Sequence, residues 1–353
     1  HTHMRIFGSM VKSAGVVGAS GYAGAELMRL LSGHPEFEVV VATAASNAGE
    51  LLGTLHPGLA ALGEVVLAPT NREVLLDLDF VFVAMPHGES AALTGSLPDD
   101  LPVVDLGADH RLKSPDDWSR YYGTSAAAAP WTYGLPELAG RASEVAASRK
   151  VASPGCYATA MQLSAAPLLD AGLVDPRDIV VVAASGTSGA GRKGSVALSA
   201  TEVMGSMSAY QVGGIHQHTA EVVQELSDIA GTDVTLSFTP MLAPMPRGIL
   251  ATTTLRTRDN VRPEDVRQAF ADYYAFTPFV QVLPDGTWPT TAATAGTNCA
   301  HLQLAVDERV GRVVVIAAID NLGKGAAGQA VQNANLMCDF PETTGLNMLG
   351  VAP

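Results

Sequence analysis

Ser153-Pro154-Gly155-Cys156-Tyr157-Ala158-Thr159-Ala160 places one thiol between a Pro-Gly turn and a helix-compatible run, Ala160-Met161-Gln162-Leu163. A cysteine entering a helix there faces unsatisfied backbone N–H groups and the positive end of the helix dipole. Both favour thiolate over thiol, so the expectation is a lowered pKa and a nucleophile active at neutral pH. An inert, buried cysteine following a turn has the same local pattern. What else the chain brings to it makes the difference.

His216-Gln217-His218-Thr219-Ala220-Glu221 is the second reactive cluster. A histidine of this pair near Cys156 could take the thiol proton, then hydrogen-bond or protonate a reacting carbonyl oxygen. H-x-H on a strand would set two imidazoles on one face, as in a metal site. Zinc catalysis needs a third ligand and only Glu221 is close, so no metal is expected. Ser185-Gly186-Thr187-Ser188-Gly189-Ala190-Gly191-Arg192-Lys193 ends an apolar strand with a loop suited to wrapping an anion through N–H groups and Arg192. Arg111 and Arg247 are isolated cations in a chain of net charge −14, where an anionic substrate must find positive charge locally.

Gly18-Ala19-Ser20-Gly21-Tyr22-Ala23-Gly24 is a glycine turn between the strand Ala14–Val17 and an amphipathic stretch, Tyr22 to Leu31. That context points to dinucleotide binding, with phosphates approaching the N–H groups of the helix start. Gly18, Ser20, Gly21, Tyr22 and Ala23 are its candidate contacts. After the second strand the chain reads Thr43-Ala44-Ala45-Ser46-Asn47-Ala48-Gly49, with no carboxylate before Glu50. Ser46 and its neighbours accept a 2′-phosphate better than an acidic residue would, which favours NADP(H). Pro86 and His87, in Met85-Pro86-His87-Gly88, follow another apolar strand and fall at the carboxyl edge of the sheet, where a cofactor lies. Asn321, opening Asn321-Leu322-Gly323-Lys324-Gly325, could orient a nicotinamide carboxamide or cap a helix.

The elements that position these groups divide in two. Phe37–Thr43, Phe80–Ala84 and Val103–Leu106 are continuous apolar strands separated by helical stretches, which predicts a parallel sheet covered on both faces. The second half carries longer strands (179–184, 234–238, 249–255, 279–283, 300–306, 312–319), a hairpin at 307–311 and a covering helix over 263–275. That predicts an α+β domain with a mixed, largely antiparallel sheet. A chain of 353 residues, 47% apolar with 35 Gly and 21 Pro, fits two globular domains. The net charge of −14, with no basic run, argues against a nucleic-acid partner. Three widely spaced cysteines (Cys156, Cys299, Cys338) fit a reducing cytoplasm. No apolar run reaches the ~18 residues of a membrane span. His1 to Met10 has no signal-peptide core and reads as an extension before a start near Met10.

Together these motifs, with Tyr133-Gly134-Leu135-Pro136-Glu137 between them, resemble the N-acetyl-gamma-glutamyl-phosphate reductases of arginine biosynthesis, relatives of the aspartate-semialdehyde dehydrogenases. The likeness runs from about Val11 to Pro353, and the ordered set is far more specific than any one motif. It implies a Rossmann-like NADP-binding domain over 11–155 and 322–353 and a catalytic and oligomerisation domain over 156–321. It further implies Cys156 as nucleophile and His216 as catalytic histidine, with Ser185, Gly186, Gly189 and Asn321 toward the cofactor. Arg111, His218, Ser188, Arg192 and Arg247 then face the substrate. The implied reaction passes through a Cys156 thioester, from acyl phosphate to semialdehyde, in a homodimer or homotetramer. Ala158 stands where those enzymes usually have Pro, and His110 where they usually have Phe. Alternatives are an aspartate-semialdehyde dehydrogenase, a Cys-His thiol hydrolase, and a noncatalytic nucleotide-binding sensor.

Overall fold

The computed structural model describes residues 11–123 and 127–351; the expected extension over residues 1–10 lies outside them. Seven strands form the first sheet: β1 (Lys12–Val17), β2 (Phe37–Ala44), β3 (Ala68–Pro69), β4 (Phe80–Val83), β5 (Val103–Asp105), β6 (Thr132–Tyr133) and β7 (Lys150–Ala152). Their spatial order is β3-β2-β1-β4-β5-β7-β6, and every pairing is parallel. Alternate residues enter two separate cores. Ala14, Val16, Phe80 and Phe82 pack on one face, while Val17, Val81, Val83 and Val103 pack on the other. Burial on both faces is why these strands carry no polar alternation.

The second sheet comprises β8 (Val174–Ser185), β9 (Ser208–Ala209), β10 (Leu236–Leu242), β11 (Ile249–Thr257), β12 (Val280–Val282), β13 (Ala300–Asp307) and β14 (Arg312–Ile319). Its order is β12-β13-β14-β11-β8-β10-β9, a mixed sheet in which β10 with β8 and β12 with β13 are parallel and the remaining pairs antiparallel. Here one face alone is sealed. Ile179, Val181 and Ala183 are buried, whereas Val180 and Val182 remain 37% and 40% exposed.

Helix Cys156–Asp170 covers the sealed face, and every residue from Tyr157 to Leu169 is buried. An element enclosed all round has no use for an amphipathic stripe, which explains why its Ala, Leu and Met residues are spread over all its faces. Pro167 lies inside this helix and cannot donate to the Leu163 carbonyl. The Tyr274 hydroxyl donates to that carbonyl instead, at 2.6 Å. After β14 the chain returns to the first sheet through a π-helical turn, Gly323–Ala327, and helix Gly328–Met337. Ala327, Ala330, Val331 and Ala334 join the core that contains Val16 and Phe82.

Two glycines of the first turn are fixed by close backbone approach. A Cβ on Gly24 would lie 2.2 Å from the Gly18 carbonyl oxygen, and Gly18 itself has φ +80°. Gly24→Ala should therefore cost about 1–3 kcal/mol by overpacking against backbone that cannot yield. Gly33→Ala, whose Cβ meets nothing nearer than 4.0 Å, should leave the thermal midpoint unchanged. Equal midpoints for the two variants would contradict this reading of the turn.

Candidate active site

Cys156 is the first residue of its helix, and Gly155 is the N-cap with no side-chain capping bond. The first N–H groups of the helix are thus left to face whatever occupies the site. Residues far apart in the chain fix this turn. Glu221, fully buried, accepts from the Gly155 N–H at 2.7 Å and from the Tyr133 hydroxyl at 2.6 Å. Its other oxygen meets Arg111 at 3.3 Å. Arg111 also donates to the Ser153 carbonyl at 2.7 Å and to the Leu106 carbonyl at 2.7 Å. From the opposite side Gly325 packs so closely that a Cβ there would lie 2.8 Å from Cys156 Cβ. The adjoining Lys324 is fully buried and pairs with Glu137 at 2.5 Å and Gln332 at 2.7 Å.

Glu221 sits in the first turn of helix His218–Ala230, so the same carboxylate locks the histidine turn to the cysteine turn. His216 and His218 do not share a strand face, as their alternation suggested. One lies in a turn and the other begins the helix, because the buried run Thr219-Ala220-Glu221-Val222 follows helical periodicity. Their rings lie 4.8 Å apart. The His218 N–H donates to His216 Nδ1 at 3.1 Å, so neutral His216 carries its proton on Nε2. The His218 ring covers Gly155, where a Cβ would come within 2.3 Å of Nε2, and its buried Nδ1 has no partner among the described residues. Burial, then the charge of His218, pushes His216 down to about 3. Burial, then Arg111 and His87, does the same for His218. Both rings are neutral at pH 7. His87, on the loop after β4, thereby comes within electrostatic reach of the pair, with its ring 5.4 Å from that of Tyr122.

The expectation of a lowered thiol pKa is corrected. Although Cys156 keeps some exposed surface, the protein around its sulfur pushes the thiol up to about 11. Desolvation outweighs the Tyr157 N–H and the Arg111 charge, both of which favour the thiolate.

Around the glycine turn, helix Tyr22–Leu31 has Gly21 as its N-cap and again no side-chain capping bond. Its first N–H groups, flanked by Ser20, Tyr22 and Ala23, suit a diphosphate. Ser46 is exposed just past the carboxyl end of β2, and Pro86 follows β4 on the same edge. The second sheet contributes the loop after Ser185. Gly186, Thr187 and Ser188 donate their N–H groups to the carbonyls of Gly248, Met245 and Pro246. Gly189 lies against Ser185 and Asn321. A recess of about 380 Å³ opens between the two sheets, lined by Tyr22, Ser188, Arg192, Lys193, Arg247 and Leu322 among others.

Three residues expected to contact ligand are engaged elsewhere. Asn321 accepts from the Gly248 N–H at 2.7 Å and donates to Ser188 Oγ at 2.9 Å, which ties two loops together. Arg247 grips Glu26 of the glycine-turn helix with both terminal nitrogens, at 2.8 and 3.1 Å, and lies 2.9 Å from Asp320. Arg111 is buried and braces the cysteine turn with one bond from each of its three nitrogens. His110 stacks on Trp131 at 3.8 Å and bonds Thr94 at 2.8 Å, a structural role. Sequence reasoning considered Glu221 only as a metal ligand and overlooked Glu137, Lys324 and Asp320 as braces. A glutamate three residues into a helix, among residues that must be buried, was the available signal.

A parallel sheet with a glycine turn is thus joined to a mixed sheet through a cysteine turn and a histidine turn. The family description "Semialdehyde dehydrogenase, NAD binding domain" matches residues 13–146, and "Semialdehyde dehydrogenase, dimerisation domain" matches residues 156–321. The chain belongs to the semialdehyde dehydrogenase family. The N-acetyl-gamma-glutamyl-phosphate reductase of Acidothermus cellulolyticus is 58% identical over 338 residues, covering 96% of this chain and 98% of that one. The enzyme of the same name from Micrococcus luteus is 55% identical over 347 residues, covering 98% and 100%. The fold is shared with aspartate semialdehyde dehydrogenase II of Vibrio cholerae, with a TM-score of 0.70 at 15% identity over 94% of this chain and 99% of that one. It is also shared with the NADP-bound aspartate semialdehyde dehydrogenase of Candida albicans, with a TM-score of 0.68 at 18% identity over 93% and 98%. Among the described residues no helix is long and apolar enough to cross a membrane.

Two measurements probe the site directly. Below a thiol pKa of about 11 the thiolate fraction grows with pH, so alkylation of Cys156 by iodoacetamide should speed up about tenfold per unit between pH 7 and 9. A rate already flat at pH 7.5, followed on the Cys156 peptide, would show an ionised resting thiol. Glu221→Gln leaves Arg111 buried without its counter-charge and should cost about 3–5 kcal/mol in denaturant unfolding. A loss below 1 kcal/mol would mean that the cluster is not the brace described.

Proposed function

We propose that this chain reduces N-acetyl-L-glutamyl 5-phosphate to N-acetyl-L-glutamate 5-semialdehyde with NADPH, releasing phosphate, in arginine biosynthesis. The observation that carries the chemistry is the single carboxylate, Glu221, that joins the Cys156 turn to the His216/His218 turn beside a glycine-turn sheet. The acetylated substrate follows from relatives that are 58% and 55% identical over nearly the whole chain and carry that enzyme's name.

Cys156 attacks the acyl carbon. A carbon–sulfur bond forms, phosphate leaves with the electrons of the carbon–oxygen bond, and a thioester results. The thiol proton passes to the imidazole pair, where His218 keeps an unpartnered ring nitrogen. His216 donates from Nε2 toward the acyl oxygen, together with the uncapped N–H groups at the start of the cysteine helix. Each well-placed donor contributes roughly 3 kcal/mol to the developing oxyanion. NADPH, when bound, supplies the hydride that reduces the thioester carbon. The groups that would hold it are the Gly18–Gly24 turn, whose helix begins without a side-chain cap, and the Ser185–Gly189 loop. Collapse of the resulting tetrahedral adduct frees the aldehyde and returns the sulfur.

The active form is a homodimer or homotetramer joined through the second sheet, whose outer face exposes Val180 and Val182. Three thiols free of disulfides fit the cytoplasm.

The assay runs the reaction in reverse: N-acetylglutamate semialdehyde, NADP and phosphate, followed by nicotinamide absorbance. Phosphate-dependent reduction with the acetylated aldehyde, and little with aspartate semialdehyde, is the expected result. Cys156→Ser should abolish turnover and leave NADPH binding intact. Normal turnover by that variant, or aldehyde formation from the acyl phosphate without NADPH consumption, would end this reading.

A further inference from the structure

A 2′-phosphate needs a cation, yet the end of β2 offers none. Residues 43–49 carry hydroxyl and amide groups only, and the first carboxylate, Glu50, accepts a hydrogen bond from Asn47 at 3.0 Å. Resting on the NADPH reading above, we propose that Arg192, with Lys193 beside it, supplies that cation from the other sheet and recognises the adenosine 2′-phosphate.

Arg192 belongs to the loop that follows β8, but its guanidinium reaches the first sheet. Nη2 donates to the Leu55 carbonyl at 3.3 Å, on the last residue of the short helix Leu52–Leu55 that follows β2. The next residue, His56, lies 3.0 Å from the Ser20 carbonyl in the glycine turn. In a strand–helix–strand nucleotide site the adenosine ribose rests between the glycine turn and the end of the second strand. The Leu55–His56 segment borders that space, and it is here that Arg192 arrives. Burial, then the Ser20 contact opposing it, then the Arg192 charge set a lowered His56 pKa, so the guanidinium is close enough to be felt.

The charges around it point the same way. Arg192 and Lys193 have no carboxylate partner among the described residues, whereas Arg247 in the same recess is matched by Glu26 and Asp320. Two uncompensated cations therefore line a recess of about 380 Å³ whose lining contains no carboxylate. Among the described residues its guanidinium makes one hydrogen bond, which leaves the other donors for a planar, multidentate contact with phosphate oxygens. The loop is strapped to the Met245–Gly248 segment by the backbone bonds from Gly186, Thr187 and Ser188, so its reach across the cleft is held by the second sheet.

The test is direct binding without substrate. Dissociation constants for NADPH and NADH are measured by nicotinamide fluorescence on wild type, Arg192→Gln and Arg192→Lys, with 2′,5′-ADP and 5′-ADP as competitors. Deleting a charge-assisted contact should weaken NADPH about tenfold or more, and 2′,5′-ADP in proportion. NADH and 5′-ADP should change less than about twofold, and Arg192→Lys should recover part of the loss. Equal weakening of NADPH and NADH would assign Arg192 to the diphosphate or to folding, and no weakening would leave it without a cofactor role; both overturn the proposal. Wild type that fails to bind NADPH would instead overturn the reading on which it rests.

Discussion

A buried carboxylate with too few donors would ionise at prohibitive cost, and this requirement organises the region around Cys156. Glu221 meets it with a backbone N–H from Gly155, a hydroxyl from Tyr133 and the guanidinium of Arg111. Those three donors come from a loop, a strand and a turn that are remote in sequence. None can shift alone without leaving the charge uncompensated, so the cysteine turn, the histidine turn and β6 hold one geometry. The same logic repeats at Lys324, where Glu137 and Gln332 surround a cation with no exposed surface. That pair anchors the turn whose Gly325 presses on Cys156.

Burial of this kind decides the resting state of the sulfur. A helix N-terminus offers up to a couple of kcal/mol to an anion in partly buried positions. Surrounding protein that displaces water from the thiol opposes this with a larger effect, and the thiol stays protonated. A protonated resting cysteine is a poorer target for oxidants than a thiolate, and the N–H groups at its helix start remain free for the oxygen of a bound acyl group. The two imidazoles beside it are likewise held neutral by burial.

How much of this was legible in the sequence depended on range. Val16–Gly24 and Tyr22–Leu31 were readable because a strand, a glycine turn and a helix are set by neighbours within a few residues. The Cys156 turn was readable for the same reason. The placement of the histidine pair was not legible, because two residues of alternation fit a strand or a turn and only the helical run after it decides. The π-helical turn at Gly323–Ala327 escaped because glycine and alanine specify no one helical form. The roles of Arg111 and Arg247 depended on Glu221, Glu26 and Asp320, which lie 73 to 221 residues away and carry no mark of their partners. An isolated arginine in a sequence is a charge without an address.

The junction between the sheets follows from one such address. Glu26 lies on the helix that begins at the glycine turn, and Asp320 lies at the end of β14, where the chain turns back. Arg247 holds both, and Arg29 shares Glu26. Burial alone would favour the neutral acid at Glu26, yet two guanidinium groups hold it down to about 2, so the clamp stays charged throughout the physiological range. Asp320 in turn accepts the N–H groups of Leu322 and Gly323, shaping the turn that carries Gly325 to Cys156. A chain of ionic and backbone contacts thus runs from the glycine-turn helix to Cys156. Hydride transfer tolerates little error in distance, and a hydrophobic seam between the sheets would permit sliding. Directional bonds at Arg247 fix the separation that a nonpolar contact would leave loose.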